Sequence, residues 1–158
     1  MEERSAVHST FIIQRNYPVP PERVFSAFSD PAMKRRWFVE GENKVVDTFE
    51  MDFRAGGMER ARYHYVEGKP FRDAPFTNEG IFQHIIPNRC IVGSSTMTLG
   101  GKTISAALTT VDLVPDAEGT KVMFTFQGAF FEGSDGPEMR EKGWQTLLDR
   151  LGTVLGGQ

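Results

Sequence analysis

The C-terminal segment, residues 135–155, carries the only long helical pattern of apolar and polar positions in the chain. Large apolar residues recur there at steps of three and four, which predicts one apolar stripe along a helix. These residues are Trp144, Leu147, Leu148, Leu151, Val154 and Leu155. Asp135 with Glu138 resembles a capping box, Pro137 suits the first turn, and Gly156 with Gly157 suits the end. Because only one side of this helix is apolar, we expect it to pack against a sheet.

The apolar stripe is interrupted where it passes through Gly143 and Arg140, next to Trp144. A glycine inside a helix costs about 1 kcal/mol relative to alanine, so its presence needs a reason. One interpretation is close packing of the helix backbone. The other is space left for a ligand, with Arg140 supplying a charge toward the mouth of a cavity. The pattern leaves both interpretations open.

Alternation of apolar and polar residues predicts strands in most of the remaining chain. In the first strand, residues 9–17, Phe11, Ile13 and Tyr17 share a face with Arg15. Arg15 is therefore either a charge at the strand edge or a polar anchor inside a cavity. Six more strands are predicted at residues 45–54, 58–66, 76–86, 90–99, 103–114 and 120–130. The short turns between them, including one at residues 67–70, imply an antiparallel meander.

Two short helices are predicted between the first and second strands. Prolines break the chain after the first strand, and apolar residues then recur at helical spacing over residues 22–29. A second helix follows over residues 31–38, and its run of three basic residues beginning at Lys34 indicates a solvated face. We expect Trp37 and Phe38, at its end, to form an apolar plug under the sheet.

The predicted fold class is α+β. A curved antiparallel sheet of six to seven strands wraps around the long C-terminal helix, with two short helices after the first strand. Val122, Phe124 and Phe126 share one face of the last strand and form the natural floor for the helix. Small inward candidates such as Ala107 and Thr109 would leave volume between sheet and helix. Such a cavity is the default site for a small molecule.

Composition narrows the class of protein further. With 158 residues, 39% hydrophobic and 25% charged, the chain is expected to form a single domain, residues 1–158, with its core at about residues 9–155. The net charge of -3 gives no reason to expect nucleic acid binding. The single cysteine, Cys90, fits a reducing compartment, and no apolar window is long enough for a membrane span. We therefore expect a cytoplasmic protein, as a monomer or a homodimer.

Several weak motifs, taken in order, resemble the SRPBCC superfamily of START-related helix-grip domains. They are the run from Tyr17 to Pro31, Trp37-Phe38, Gly56-Gly57, Glu79-Gly80, Pro87-Asn88-Arg89, Gly119-Thr120 and Gly143-Trp144 through Leu151. The nearest branch is the group called activator of heat-shock protein 90 ATPase homologue-like. The resemblance implies a helix-grip fold and a cavity for lipids, hormones or polyketides. Some members of the superfamily are cyclases, and the branch takes its name from a co-chaperone.

The sequence contains no recognisable catalytic or metal-binding motif. Its histidines, His8, His64 and His84, form no H-x-x-x-H pattern, so neither a metal nor a cofactor is expected. There is no G-x-S-x-G elbow and no P-loop. Cys90 has no evident basic partner and is expected to be an inert thiol.

The residues with acid-base chemistry are His84, Glu59, Glu79, Tyr63, Tyr65 and Arg140. Inside an apolar cavity they could enolise a ketone-bearing ligand, or they could merely orient a ligand by hydrogen bonds. His84 shares one strand face with Phe82 and Ile86 and opposes Ile81 and Ile85, so periodicity does not say which face is inward.

Three functional hypotheses follow from these observations. The favoured one is non-catalytic binding of a hydrophobic small molecule, lipid-like or polyketide-like, between sheet and helix. The alternatives are a cyclase or lyase using His84, a carboxylate and Arg140, and a module that contacts a chaperone. The expected ligand-binding residues are Arg15, Tyr63, Tyr65, His84, Phe124, Phe126, Arg140, Gly143, Trp144 and Leu147.

Overall fold

The computed structural model describes residues 5–67 and 74–157, so the predicted turn at residues 68–70 lies outside the described residues. The strands are β1 (Val7–Tyr17), β2 (Lys44–Met51), β3 (Met58–Tyr65), β4 (Phe76–Ile86), β5 (Cys90–Leu99), β6 (Lys102–Asp116) and β7 (Gly119–Phe130). The helices are α1 (Pro21–Ser29), α2 (Pro31–Lys34) and α3 (Pro137–Gly157), and a π-helical turn (Arg35–Val39) directly follows α2.

The strands form one curved antiparallel sheet in the order β1-β7-β6-β5-β4-β3-β2. Strands β2 to β7 follow one another as a meander, whereas β1 pairs with β7 because α1 and α2 carry the chain across to the opposite edge. At the β5–β6 turn, Gly100 and Gly101 have φ values of 60° and 87°, a region that favours glycine. The predicted α+β class and helix-grip arrangement are confirmed.

Helix α3 packs its apolar stripe on the floor formed by β1 and β7. Leu148 and Leu151 are fully buried, as is Val122 on the sheet. The Tyr17 hydroxyl donates a hydrogen bond to the Leu148 carbonyl oxygen at 2.6 Å, which joins the end of β1 to the middle of the helix. Trp37 is completely buried and donates from Nε1 to the Ala27 carbonyl at 2.8 Å, as expected of an apolar plug with a polar handle.

The start and end of α3 differ from the prediction. The helix begins at Pro137 and continues through both glycines to Gly157. Asp135 precedes the helix, and both its carboxylate oxygens accept hydrogen bonds from Arg140. A nearby guanidinium thus takes the oxygens that a capping box would have used.

The expectation that Lys34 lies on a solvated face is wrong. Its side chain is 9% exposed, and its Nζ lies 2.5 Å from Oε2 of Glu59, which is itself 17% exposed. That oxygen makes no well-oriented hydrogen bond, so the contact is an ion pair held mainly by charge. The ammonium also lies over the rings of Phe38 and Phe82, at 4.7 and 5.6 Å from their centroids. A buried carboxylate and two aromatic faces replace the water that a surface lysine would have.

A β-bulge decides the orientation of His84. The pairing register of β4 with β5 shifts between Phe82 and His84, so Gln83 is an extra residue on that strand. Phe82 is buried, His84 is exposed, and Ile85 packs against the core. The bulge therefore interrupts the simple alternation on which the sequence prediction depended.

Candidate ligand-binding cavity

A cavity of about 500 Å³ lies between α3 and the β2–β5 half of the sheet. Its wall combines aromatic side chains with methionine and leucine side chains. The apolar and aromatic lining consists of Phe38, Tyr63, Tyr65, Phe76, Met97, Met139, Trp144 and Leu147. The polar lining consists of Glu42, Lys44, Glu67, Asn78, Asp135, Arg140, Thr146 and Arg150, and Gly143 completes the wall.

Two groups of rings shape the aromatic part of the wall. On the helix side, the Trp144 ring lies 4.2 Å from that of Phe124 and 5.8 Å from that of Phe38, centroid to centroid. On the sheet side, Tyr63 stacks on Phe76 at 5.5 Å with an interplanar angle of 12°. These contacts fix the rings in place, so the apolar surface is formed before any ligand binds.

Gly143 faces open space. A Cβ atom built on this residue would meet no other heavy atom within 4 Å. Close packing of the helix backbone therefore does not explain the glycine. The interruption of the apolar stripe next to Trp144 coincides with the cavity wall.

Arg140 lines the cavity, but its charge is already neutralised. Its Nη2 and Nε donate to the two carboxylate oxygens of Asp135 at 2.7 and 2.8 Å, and its Nη1 donates to the Ser105 hydroxyl at 3.0 Å. Burial alone would raise the pKa of Asp135, but hydrogen bonds and charge from Arg140 hold that pKa below its usual value. The pair is thus an ionised, bidentate bridge from the start of α3 to β6, rather than an open charge at the mouth.

Two tyrosine hydroxyls are available to a ligand on the sheet side. Burial raises the pKa of both Tyr63 and Tyr65 above the ordinary tyrosine value, so both stay protonated at neutral pH. Within the described residues, neither hydroxyl hydrogen-bonds to a protein group. Each can therefore donate to a carbonyl, ether or hydroxyl oxygen of a bound molecule.

Lys44 and Arg150 are cavity residues that the sequence analysis missed. Lys44 is the first residue of β2, and Arg150 is on α3, so more than a hundred positions separate them in the chain. Burial, and secondarily the charge of Arg150, lowers the pKa of Lys44 to about 8. Lys44 belongs to none of the motifs in the sequence, and the motif that contains Arg150 does not mark it as a cavity residue, so only the folded packing brings the two together.

Six of the ten predicted site residues line the cavity: Tyr63, Tyr65, Arg140, Gly143, Trp144 and Leu147. Arg15 does not, because its Nε donates to Asp149 at 3.0 Å on the outer side of α3. His84 is exposed next to the bulge in β4 and does not line the cavity. Phe124 and Phe126 are core residues behind the wall.

A second, much smaller space of about 70 Å³ lies behind Phe38 and Trp144, beside the Lys34–Glu59 ion pair. With His84 exposed and Glu59 bound to Lys34, no histidine-carboxylate pair faces the main cavity among the residues that line it. The geometry therefore does not favour the cyclase alternative.

Within residues 5–67 and 74–157, no cluster of three or more His, Cys, Asp or Glu could hold a metal ion. In the same residues, no helix is both long and apolar enough to cross a membrane.

The curved sheet that grips α3 defines the class of fold as helix-grip. The Mll3558 protein from Rhizobium loti is 43% identical with a TM-score of 0.84, over 96% of this chain and 99% of that chain. An uncharacterized protein from Rhizobium leguminosarum is 34% identical with a TM-score of 0.89, over 99% of this chain and 100% of that chain. The AHSA1-like protein from Aeromonas hydrophila shares the fold, with a TM-score of 0.69. It is 19% identical over 94% of this chain and 93% of that chain.

The sequence profile of the family "Activator of Hsp90 ATPase homolog 1-like protein" matches residues 18–156. The chain belongs to that family, which confirms the resemblance seen in the sequence. No curated protein matches the chain.

Proposed function

We propose that this protein binds a hydrophobic small molecule, lipid-like or polyketide-like, in the cavity between the sheet and α3, without catalysing a reaction. The observation that carries the proposal is a cavity of about 500 Å³ with a fixed aromatic wall. Sites for small molecules commonly enclose about 300–1,000 Å³ and combine apolar walls with a few polar groups. The single cysteine further supports a cytoplasmic setting.

The polar groups in the wall suit orientation of a ligand better than chemistry. The Tyr63 and Tyr65 hydroxyls are neutral donors, and the Arg140 guanidinium is bound to Asp135. A histidine base would have to face the bound molecule, and His84 does not. Lys44, whose pKa is lowered to about 8, is mainly protonated at neutral pH and is therefore a cation there. Binding without turnover is therefore the function that these side chains support best.

The test uses N-phenylnaphthylamine, a neutral hydrophobic probe that fluoresces in apolar surroundings. In Gly143→Leu the new side chain would extend into the open space beside Trp144. We expect this variant to stay folded, because leucine is the better helix former by somewhat under about 1 kcal/mol, and to lose at least about tenfold in probe affinity.

The matched control is Gln145→Leu, which adds the same side chain at an exposed position of α3 outside the cavity. It should bind the probe as the unmodified protein does. Undiminished binding by a folded Gly143→Leu variant would show that the probe does not use this cavity. A loss of stability of about 1–3 kcal/mol in that variant would instead indicate overpacking and contradict the open space.

A further inference from the structure

Two cationic side chains converge at one end of the cavity. Lys44 and Arg150 both line it, and both lie against the backbone of Gly41. A methyl group placed on Gly41 would lie 3.0 Å from Cε of Lys44 and 2.7 Å from Nη1 of Arg150. Like charges this close repel each other unless an anion lies between them.

Within residues 5–67 and 74–157, the protein supplies no such anion. Arg150 donates from Nη1 to the backbone carbonyl of Glu40, which fixes the guanidinium but leaves its charge in place. The Lys44 ammonium lies 4.8 Å from the centroid of the Tyr63 ring. Within the described part of the chain, no carboxylate forms an ion pair with Lys44 or Arg150. Arg140, the third cation of the lining, differs because Asp135 neutralises it.

Two carboxylates also line the cavity, Glu42 and Glu67, and both are exposed. Water solvates them, and they lie beyond ion-pairing distance of the two cations. They do not supply the missing partner.

From this arrangement we infer that the ligand is an anionic amphipath, whose carboxylate or phosphate group binds between Lys44 and Arg150 while its apolar body lies on the aromatic wall. The inference rests on the proposed function and specifies its ligand class. An amine and a guanidinium from two different elements can both donate charge-assisted hydrogen bonds to such a group. The lowered pKa of Lys44 is consistent with a cation that lacks a counter-ion.

The experiment compares two probes that share one aromatic skeleton. Anilinonaphthalene sulfonate carries an anionic group, and N-phenylnaphthylamine lacks it. We expect Lys44→Met to weaken binding of the sulfonate probe by at least about tenfold and to change binding of the neutral probe by less than about twofold. Lys142→Met removes one exposed lysine from α3 outside the cavity and serves as the matched control. It should change neither affinity.

Arg150 provides a second, independent variant. Because its loss also removes the hydrogen bond to the Glu40 carbonyl, the charge and the hydrogen bond must be separated. Arg150→Met should weaken the sulfonate probe selectively, and Arg150→Lys, which keeps the charge, should restore most of the affinity. Thermal melting shows whether each variant is folded. Competition by decanoate, decyl phosphate and decanol then separates the head groups: either anion should displace the neutral probe better than decanol, and the stronger of the two identifies the head group.

The outcomes separate this inference from the proposed function. If folded Lys44→Met and Arg150→Met both bind the two probes unchanged, or if decanol competes as well as the anions, the anionic ligand is refuted and the apolar cavity stands. If neither probe binds the unmodified protein, the proposed function itself fails, and this inference fails with it.

Discussion

Leu151 and Leu147 lie one turn apart on α3, and the same substitution should have very different effects at the two positions. Leu151 is fully buried in the core, whereas Leu147 is partly exposed and lines the cavity. Alanine at position 151 would leave a closed void, and such changes in well-packed cores cost about 2.7–5 kcal/mol. Alanine at position 147 only enlarges a space that already exists, so the loss should be about 1–2 kcal/mol.

The assay is urea unfolding of both variants, followed by far-UV circular dichroism, with the slope m checked to be unchanged. Probe affinity provides the complementary readout: Leu147→Ala should alter binding of N-phenylnaphthylamine, and Leu151→Ala should leave it within about twofold. Equal losses of stability at the two positions would refute the distinction between core and cavity wall. A loss below about 1 kcal/mol for Leu151→Ala would refute the packing of α3 on the sheet.

The remaining predictions concern buried charges. Glu59→Gln leaves the Lys34 ammonium buried without its partner and should lower the free energy of unfolding by about 3–5 kcal/mol. The control, Glu79→Gln, breaks the half-exposed pair with Arg60 and should lower it by under about 1 kcal/mol. Comparable urea midpoints for the two variants would contradict this. Burial and the charge of Arg150 lower the folded-state pKa of Lys44 to about 8, so above that pH the Lys44 amine holds more protons in the unfolded chain than in the folded protein. The unfolding free energy should therefore rise between about pH 8 and 10, by on the order of 2 kcal/mol. Lys44→Met should lack this rise. The titratable groups that line the same cavity are Glu42, Tyr63, Tyr65, Glu67, Asp135, Arg140 and Arg150. The two tyrosines, with raised pKa values, oppose the rise only above about pH 10.

The sequence predicts the fold well because its signals are local. The apolar stripe of α3, the alternation in β7 and the turn residues between strands each depend on neighbours within a few positions. The alternation fails at His84, where a single bulged residue changes which side chains face the core. Periodicity assumes an uninterrupted strand, so a bulge without a glycine or proline signal cannot be seen in advance.

The candidate site is less predictable because its charges are paired through tertiary contacts. The short basic run predicted that Lys34 would be exposed to solvent, yet Glu59 on a distant strand gives Lys34 a buried partner. Arg140 was expected as an open charge, yet Asp135 binds it across the first turn of α3. Lys44 and Arg150 meet only after folding, so no spacing in the sequence marks them. Aromatic wall residues such as Trp144 could be predicted from the sequence because they belong to regular helices and strands.

Native mass spectrometry of freshly purified protein, followed by organic extraction, tests the binding claim most directly. We expect the unmodified protein to carry a small-molecule adduct that disappears under denaturing conditions, and we expect Gly143→Leu, purified in parallel, to have lost most of it. An unmodified protein without any adduct, or an adduct equally abundant in folded Gly143→Leu, would contradict ligand binding between the sheet and α3.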